Sequence, residues 1–220
     1  MTSILKKTLQ DIFSRDVLPF ILTVGIGSVL FWIVPLWWIS GGIVHLLSWL
    51  TSLTPWAQSW EEPDFWTTLK IGYFLVIITV SIATAIWGEG ILRKRIKKHY
   101  PNAFAEGSSH MHRSLYYNLK ANAMFLLLLI LLSPLLFIPY FGKIVLLYLW
   151  SIQLKEPTLY DVGAVIGLDK HALKHYAKKS RWVSLFAAAL NFIPIVNFFV
   201  PLFAQFLFAH FVLGDRADSK

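Results

Sequence analysis

The sequence predicts an all-α membrane protein: two long transmembrane helices plus two partly penetrating, re-entrant helical hairpins, in one membrane domain over residues 1–220. Three observations carry that prediction. Of the 220 residues, 56% are hydrophobic and only 15% charged, and the mean hydropathy is +0.59, well above a water-soluble domain's share. The charges are also clustered, with no Asp, Glu, Lys or Arg from Val17 to Trp60, from Ala121 to Gly142, or from Trp182 to Gly214. Finally, the later apolar stretches carry basic residues at both ends, and such flanks belong on the cytoplasmic side. Each of those stretches must therefore enter the membrane and return.

The same composition excludes several functions. There are no cysteines, hence no disulfides, thiolate metal sites or cysteine nucleophiles. The formal charge of +8 is explained by cytoplasmic loops, and without an independent soluble domain it does not point to nucleic acid.

The elements are justified in chain order. Residues 1–16 form an interfacial helix, with Ile4, Leu5, Thr8, Ile12 and Phe13 near one face and Lys6, Lys7, Asp11 and Arg15 interrupting it. Residues 17–40 are twenty-four uncharged positions, about 36 Å of helix and enough to cross a core of about 30 Å. Pro35 and Gly41-Gly42 could break this stretch into a hairpin, but that would place the later basic cluster outside. From Gly41 to Thr68 there is no Lys or Arg, Glu61, Glu62 and Asp64 are present, and Trp49, Trp56, Trp60 and Trp66 stand as an aromatic belt, so this segment is assigned outside. The second span, residues 69–92, stops at Arg93–Lys98, five cations in six residues. Glu89 pairs with the cations after it. Both chain termini are then cytoplasmic.

The hairpins occupy residues 121–154 and 183–213. The first turns at Pro139–Gly142 between arms of about eighteen and eleven residues, the second at Pro194–Asn197 between arms of about eleven and sixteen. An eleven-residue helix is roughly 17 Å long, half the core thickness. Phe137-Ile138-Pro139 recurs as Phe192-Ile193-Pro194 fifty-five residues later, and interrupted hydrophobic segments in repeated positions point to transport folds. Between the hairpins lies a polar connection with a short helix from about Asp169, which serves as its N-cap.

A permeating anion needs donors that replace its hydration shell, and backbone N–H groups at broken helix ends supply them. The candidate anion-binding and pore residues are Asn191 and Asn197 at the second turn, Ser133 and Lys143 at the first, and Arg15 at the cytoplasmic entrance. Pro139, Gly142, Pro194 and Pro201 are the structural breaks. A lysine in the middle of a lipid-facing helix costs about 2.5–3.5 kcal/mol, so Lys143 must face protein, water or another subunit, or snorkel to the far interface. The asparagines serve equally well in turns or between helices. Polar tip groups that lipid cannot satisfy require a neighbouring copy, so a homo-oligomer is expected. His110 with His112, and His171 with His175, lack a third ligand, so no metal and no cofactor are expected. His210 is assigned to packing. No phosphate loop, nucleophile–base pair or paired intramembrane carboxylates are present, so an enzyme is not expected.

Two long spans, a basic linker, Ile138-Pro139 with Gly142, the stretch Lys155–Asp161 and Phe192–Pro201 together resemble the CysZ family of bacterial sulfate permeases, which shares its membrane domain with the etoposide-induced proteins. The resemblance covers roughly Val17 to Leu213, and Pro194, Asn197 and Pro201 stand at the family's spacing. It implies an oligomeric protein of the bacterial inner membrane with two transmembrane helices and two half-penetrating hairpins, passing sulfate or a similar oxyanion across the lipid bilayer for assimilation. Family members acting on sulfate carry an arginine pair before the first span. Here Phe13 and Ser14 occupy those positions, with Arg15 displaced by one and Asp16 directly after it. The alternative reading is a non-transporting scaffold whose amphipathic hairpins shape the bilayer.

Overall fold

The computed structural model describes residues 2–52, 65–101, 104, 107, 111–136, 138, 140–193 and 195–218. The expected breaks Pro139 and Pro194, along with His110, Trp56, Trp60 and the acidic residues of the outer loop, lie outside them, as do the side chains of Ser133 and Trp66. All regular structure among the described residues is helical: α1 (Thr2–Ile12), α2 (Val17–Ser52), α3 (Phe65–His99), α4 (Met111–Leu136), α5 (Phe141–Val165), α6 (Lys170–Lys179), α7 (Arg181–Ala189) and α8 (Val200–Asp218). Single 3-10 turns, Leu190–Phe192 and Val196–Phe198, stand between α7 and α8.

Among the described residues two helices are long and apolar enough to cross a membrane, Val17–Trp38 within α2 and His112–Leu132 within α4. A third span is available if Leu75–Thr84 and Ile86–His99 of α3 are counted together across the break between them. The second of these spans falls where half of a hairpin was expected. The helix starts nine residues upstream of the last charged residue, Lys120, and includes the polar turn around Asn118.

The chain divides into two compact units, Met1–Leu18 with Thr84–Lys220, and Pro19–Ala83. In the second unit α2 passes through Pro35 without ending and continues past Gly41-Gly42 to Ser52, which removes the hairpin alternative. One turn before Pro35, the indole N–H of Trp32 donates to Thr79 Oγ1 at 2.9 Å, and the Thr79 hydroxyl donates to the Leu75 carbonyl, tying α2 to α3.

In the first unit α8 is buried on every side: Leu202, Phe206, Phe208, Val212 and Leu213 are enclosed, packed against α1, α5 and α7. A helix apolar all round belongs in the centre of its unit. Helices α4 and α5 pack along their length as a hairpin. Helix α5 does not stop at Leu154: it continues through Glu156 and Pro157 to Val165 and buries Thr158, Leu159, Tyr160 and Val162. The expected eleven-residue arm is thus the apolar part of a 25-residue helix. Polar links zip the far end of this hairpin: Lys120 to Glu156 at 2.8 Å, Gln153 to Asn122 at 2.7 Å, and the stacked rings of Tyr117 and Tyr160. The short helix expected from Asp169 is α6, and the Asp169 carboxylate caps it by accepting from the Ala172 N–H at 2.7 Å. Glu89 pairs with Arg93 at 2.9 Å, one helical turn on.

Candidate functional site

The two hairpin tips share one backbone geometry. Tyr140 and Ile195, each directly after the Ile-Pro pair, have φ of 67° and 69° with ψ of −42° and −51°. They are the two non-glycine residues with positive φ among the described residues. The hydrogen bonds repeat as well: Ile138 N–H donates to Leu135 and Gly142 N–H to Ile138 at the first tip, while Ile193 donates to Leu190 and Asn197 to Ile193 at the second. Every partner is displaced by the same fifty-five residues. A side chain in this region is crowded against its own carbonyl, and such conformations cost on the order of 1–3 kcal/mol and gather at functional sites.

Beyond the turn itself the two tips differ. At the first tip α5 resumes at once, with Gly142 buried and Lys143 exposed in its opening turn. Tyr140 precedes it without a side-chain cap hydrogen bond, the Gly142 N–H is already given to Ile138, and the partially positive end of α5 lies beside the Lys143 ammonium. Among the described residues Lys143 makes no ion pair. At the second tip a 3-10 turn holds Asn197, which is buried, and Asn191 sits half-buried in the preceding turn. Pro201 is the second residue of α8, where its missing N–H has no helical partner to lose. The ring of Phe192 lies 5.0 Å from that of Trp150, in the middle of α5. Within one chain, therefore, Asn191 and Asn197 share one break and Lys143 belongs to the other.

The residue expected at an entrance, Arg15, lies in the turn between α1 and α2. Arg15 is exposed there, and its neighbour Asp16 reaches Lys94 at 3.3 Å and Arg95 at 3.5 Å. These three residues, with Trp87, Gly90 and Ile91, line a cavity of about 370 Å³. A larger open cavity of about 980 Å³ is lined by Lys155, Lys174, Lys178, Lys179, Arg181 and Trp182 among others, a basic surface that suits anionic headgroups.

A fourth cluster lies outside every expected site. Asp11 of α1 is 1% exposed and His210 of α8 fully buried. Asp11 Oδ2 lies 2.9 Å from His210 Nε2, and Oδ1 lies 3.0 Å from Nε2 of His99 at the end of α3. Tyr100 Oη is 3.4 Å from His210 Nδ1 and accepts from Lys7 Nζ at 3.2 Å. Burial pushes the Asp11 carboxyl upward, but the hydrogen bonds from His210 and His99 outweigh it and hold the group below the usual carboxylate range. His210 is thus a polar partner and not simply a packing residue. A signal for it does exist in the sequence: Thr8, Asp11 and Ile12 share the buried face of α1, and a carboxylate there demands a partner, as does a histidine inside an uncharged run.

Two further carboxylates tie the hairpins' polar ends. The Ser114 hydroxyl donates to Asp161 at 2.6 Å, and burial, reinforced by the Glu89 charge and only partly offset by that hydrogen bond, pushes Asp161 up to about 6. Asp215 of α8 accepts from Lys179 at 2.8 Å and from the Tyr176 hydroxyl at 3.1 Å, and the Lys179 ammonium holds it below its ordinary value.

The family model for sulfate transporter CysZ/etoposide-induced protein 2.4 matches residues 4–201. No curated protein and no solved structure matches the chain.

Proposed function

The chain belongs to the sulfate transporter CysZ/etoposide-induced protein 2.4 family, a transporter-type membrane family, and on that premise we propose that it is an inner-membrane permease carrying sulfate or a like oxyanion inward. The observation that supports this reading best is the repeated strained turn. At the first of its two copies a lysine stands beside a helix N-terminus that has no side-chain cap, without an acidic residue anywhere from Asn122 to Lys155. Two positive features in that position are mutually unfavourable until an anion visits. The neutral second tip, with Asn191 and Asn197, offers hydrogen bonds without charge.

Both hairpins are read as re-entrant, and the functional unit as a homo-oligomer in which copies bring these tips together. The exposed face at Tyr140, 84% open in the single chain, would then meet a neighbour. Both termini and the Arg93–Lys98 cluster face the cytoplasm. Uptake of radiolabelled sulfate into proteoliposomes, with phosphate and chloride as competitors, tests the activity: uptake above protein-free vesicles supports it, and none supports a bilayer-shaping scaffold. The protein lacks cysteine, so a Lys98→Cys variant reports orientation cleanly. Its labelling by an impermeant reagent in intact cells would overturn the assigned topology.

A further inference from the structure

We propose that Asp11, His99 and His210 form a binding site for a divalent first-row transition ion of the zinc class, fastening α1 to α3 and α8. The three side chains come from three helices, and their ligating atoms lie within 4.8 Å of one another. Ions of this class bind imidazole nitrogen and carboxylate oxygen at about 2.0–2.2 Å, which places neighbouring ligand atoms roughly 3.3–3.6 Å apart in a tetrahedron. The carboxylate–imidazole separations are 2.9 and 3.0 Å, so side-chain shifts of about half an ångström admit the ion. Two imidazoles with a carboxylate are a donor set for zinc, cobalt or iron(II), whereas calcium and magnesium require more oxygens.

The surroundings fit the same assignment. A ligating histidine is oriented by whatever its other ring nitrogen meets, and His210 Nδ1 faces the Tyr100 hydroxyl at 3.4 Å. With an ion bound, the proton that Nε2 shares with Asp11 is displaced, Nδ1–H donates to Tyr100, and the Nε2 lone pair is directed at the ion. The Asp11 charge is buried, and a buried carboxylate needs compensation. The ammonium of Lys7, one helical turn before Asp11, is engaged on Tyr100, at 3.2 Å from the hydroxyl and 4.6 Å from the ring centroid. The two imidazoles alone bring no full positive charge when neutral, and a divalent ion does. The His99 side chain is 25% exposed, which leaves a path for the ion, and the His99 and His210 rings meet edge to face at 5.3 Å, both reaching the same carboxylate.

The test uses the full chain in detergent, freed of any affinity tag and stripped with chelator. Titration with Co²⁺, read by its visible d–d absorption, and Zn²⁺ content after desalting should both give one ion per chain. His99→Gln and Asp11→Asn should each weaken binding by at least about tenfold, and Tyr100→Phe by about tenfold through the orienting shell. The partly exposed His99 is the variant of choice because it leaves the buried His210 in place, and size-exclusion profiles identify folded protein. His171→Gln with His175→Gln, an exposed pair, should leave binding unchanged. Absence of stoichiometric metal, affinity unchanged in folded His99→Gln, or loss of binding only in the His171/His175 variant would overturn the assignment and leave a hydrogen-bonded knot.

Discussion

The two hairpin tips are the same turn in different settings. Tyr140 and Ile195 hold nearly equal dihedral angles, and two hydrogen bonds that frame each turn correspond residue for residue, yet one tip leads to an exposed lysine and the other to a buried asparagine. What the tips share is an Ile-Pro pair in the sequence followed by a residue of positive φ. The chemistry is dictated by what they do not share, the residues two or three positions further on. One architectural device thus occurs in a charged and a neutral version.

The strongest way to break this comparison is to remove the charge. Lys143→Gln should leave the fold intact and lower anion flux severalfold, and Lys143→Glu should abolish it or turn selectivity towards cations. Wild-type flux in both variants, measured in proteoliposomes, would make Lys143 an interface anchor and leave the two tips functionally equivalent.

Relieving the strain is the second way. Both side chains point outward, Tyr140 at 84% and Ile195 at 72% exposure, so glycine removes little packing while permitting positive φ. Ile195→Gly should stabilise by about 1 kcal/mol and Tyr140→Gly by less, because a β-branched residue suffers more in this region. Thermal unfolding tracked by circular dichroism checks the order, and a loss of stability in both would mean that the turns are not strained.

The smallest effect separates the hairpins by pH. The Asp161 carboxyl is raised to about 6 by burial, so its contribution to stability is complete below an unfolded value near 4 and is lost as pH rises through 6. Asp161→Asn should therefore flatten the stability profile between pH 4 and 6 and raise the melting temperature by a few degrees at pH 7.5. Asp215 has the opposite sign: its folded value is depressed, so its contribution is present above pH 4 and lost in acid. Asp215→Asn should weaken the protein slightly at pH 7.5, and the same response from both variants would erase the distinction.

Much of this is legible in the sequence because it is local. Gaps in the charge pattern locate the apolar helices, Asp169 reads as a cap because its helix starts beside it, Glu89 and Arg93 are one turn apart, and the Ile-Pro repeat marks both turns. The helix ends are less legible. Lys155, Glu156 and Pro157 interrupt the apolar pattern, but a helix packed on its neighbour tolerates them, and Gly41-Gly42 costs only about 1 kcal/mol per glycine, too little to end α2. The Asp11 cluster cannot be read from spacing, since 88 and 199 residues separate Asp11 from its two partners. Such a site exists only after the helices have packed.

That separation also has a consequence in time. Helix α1 is made before α8, so during synthesis at roughly 5–20 residues per second the face of α1 bearing Thr8, Asp11 and Ile12 waits on the order of 10–40 seconds for the helix that covers it. Until then a carboxylate and an apolar strip are displayed together on the nascent chain. Docking of α1 on α8 is therefore the step that hides this face, and a chain stopped before His210 would carry it exposed permanently.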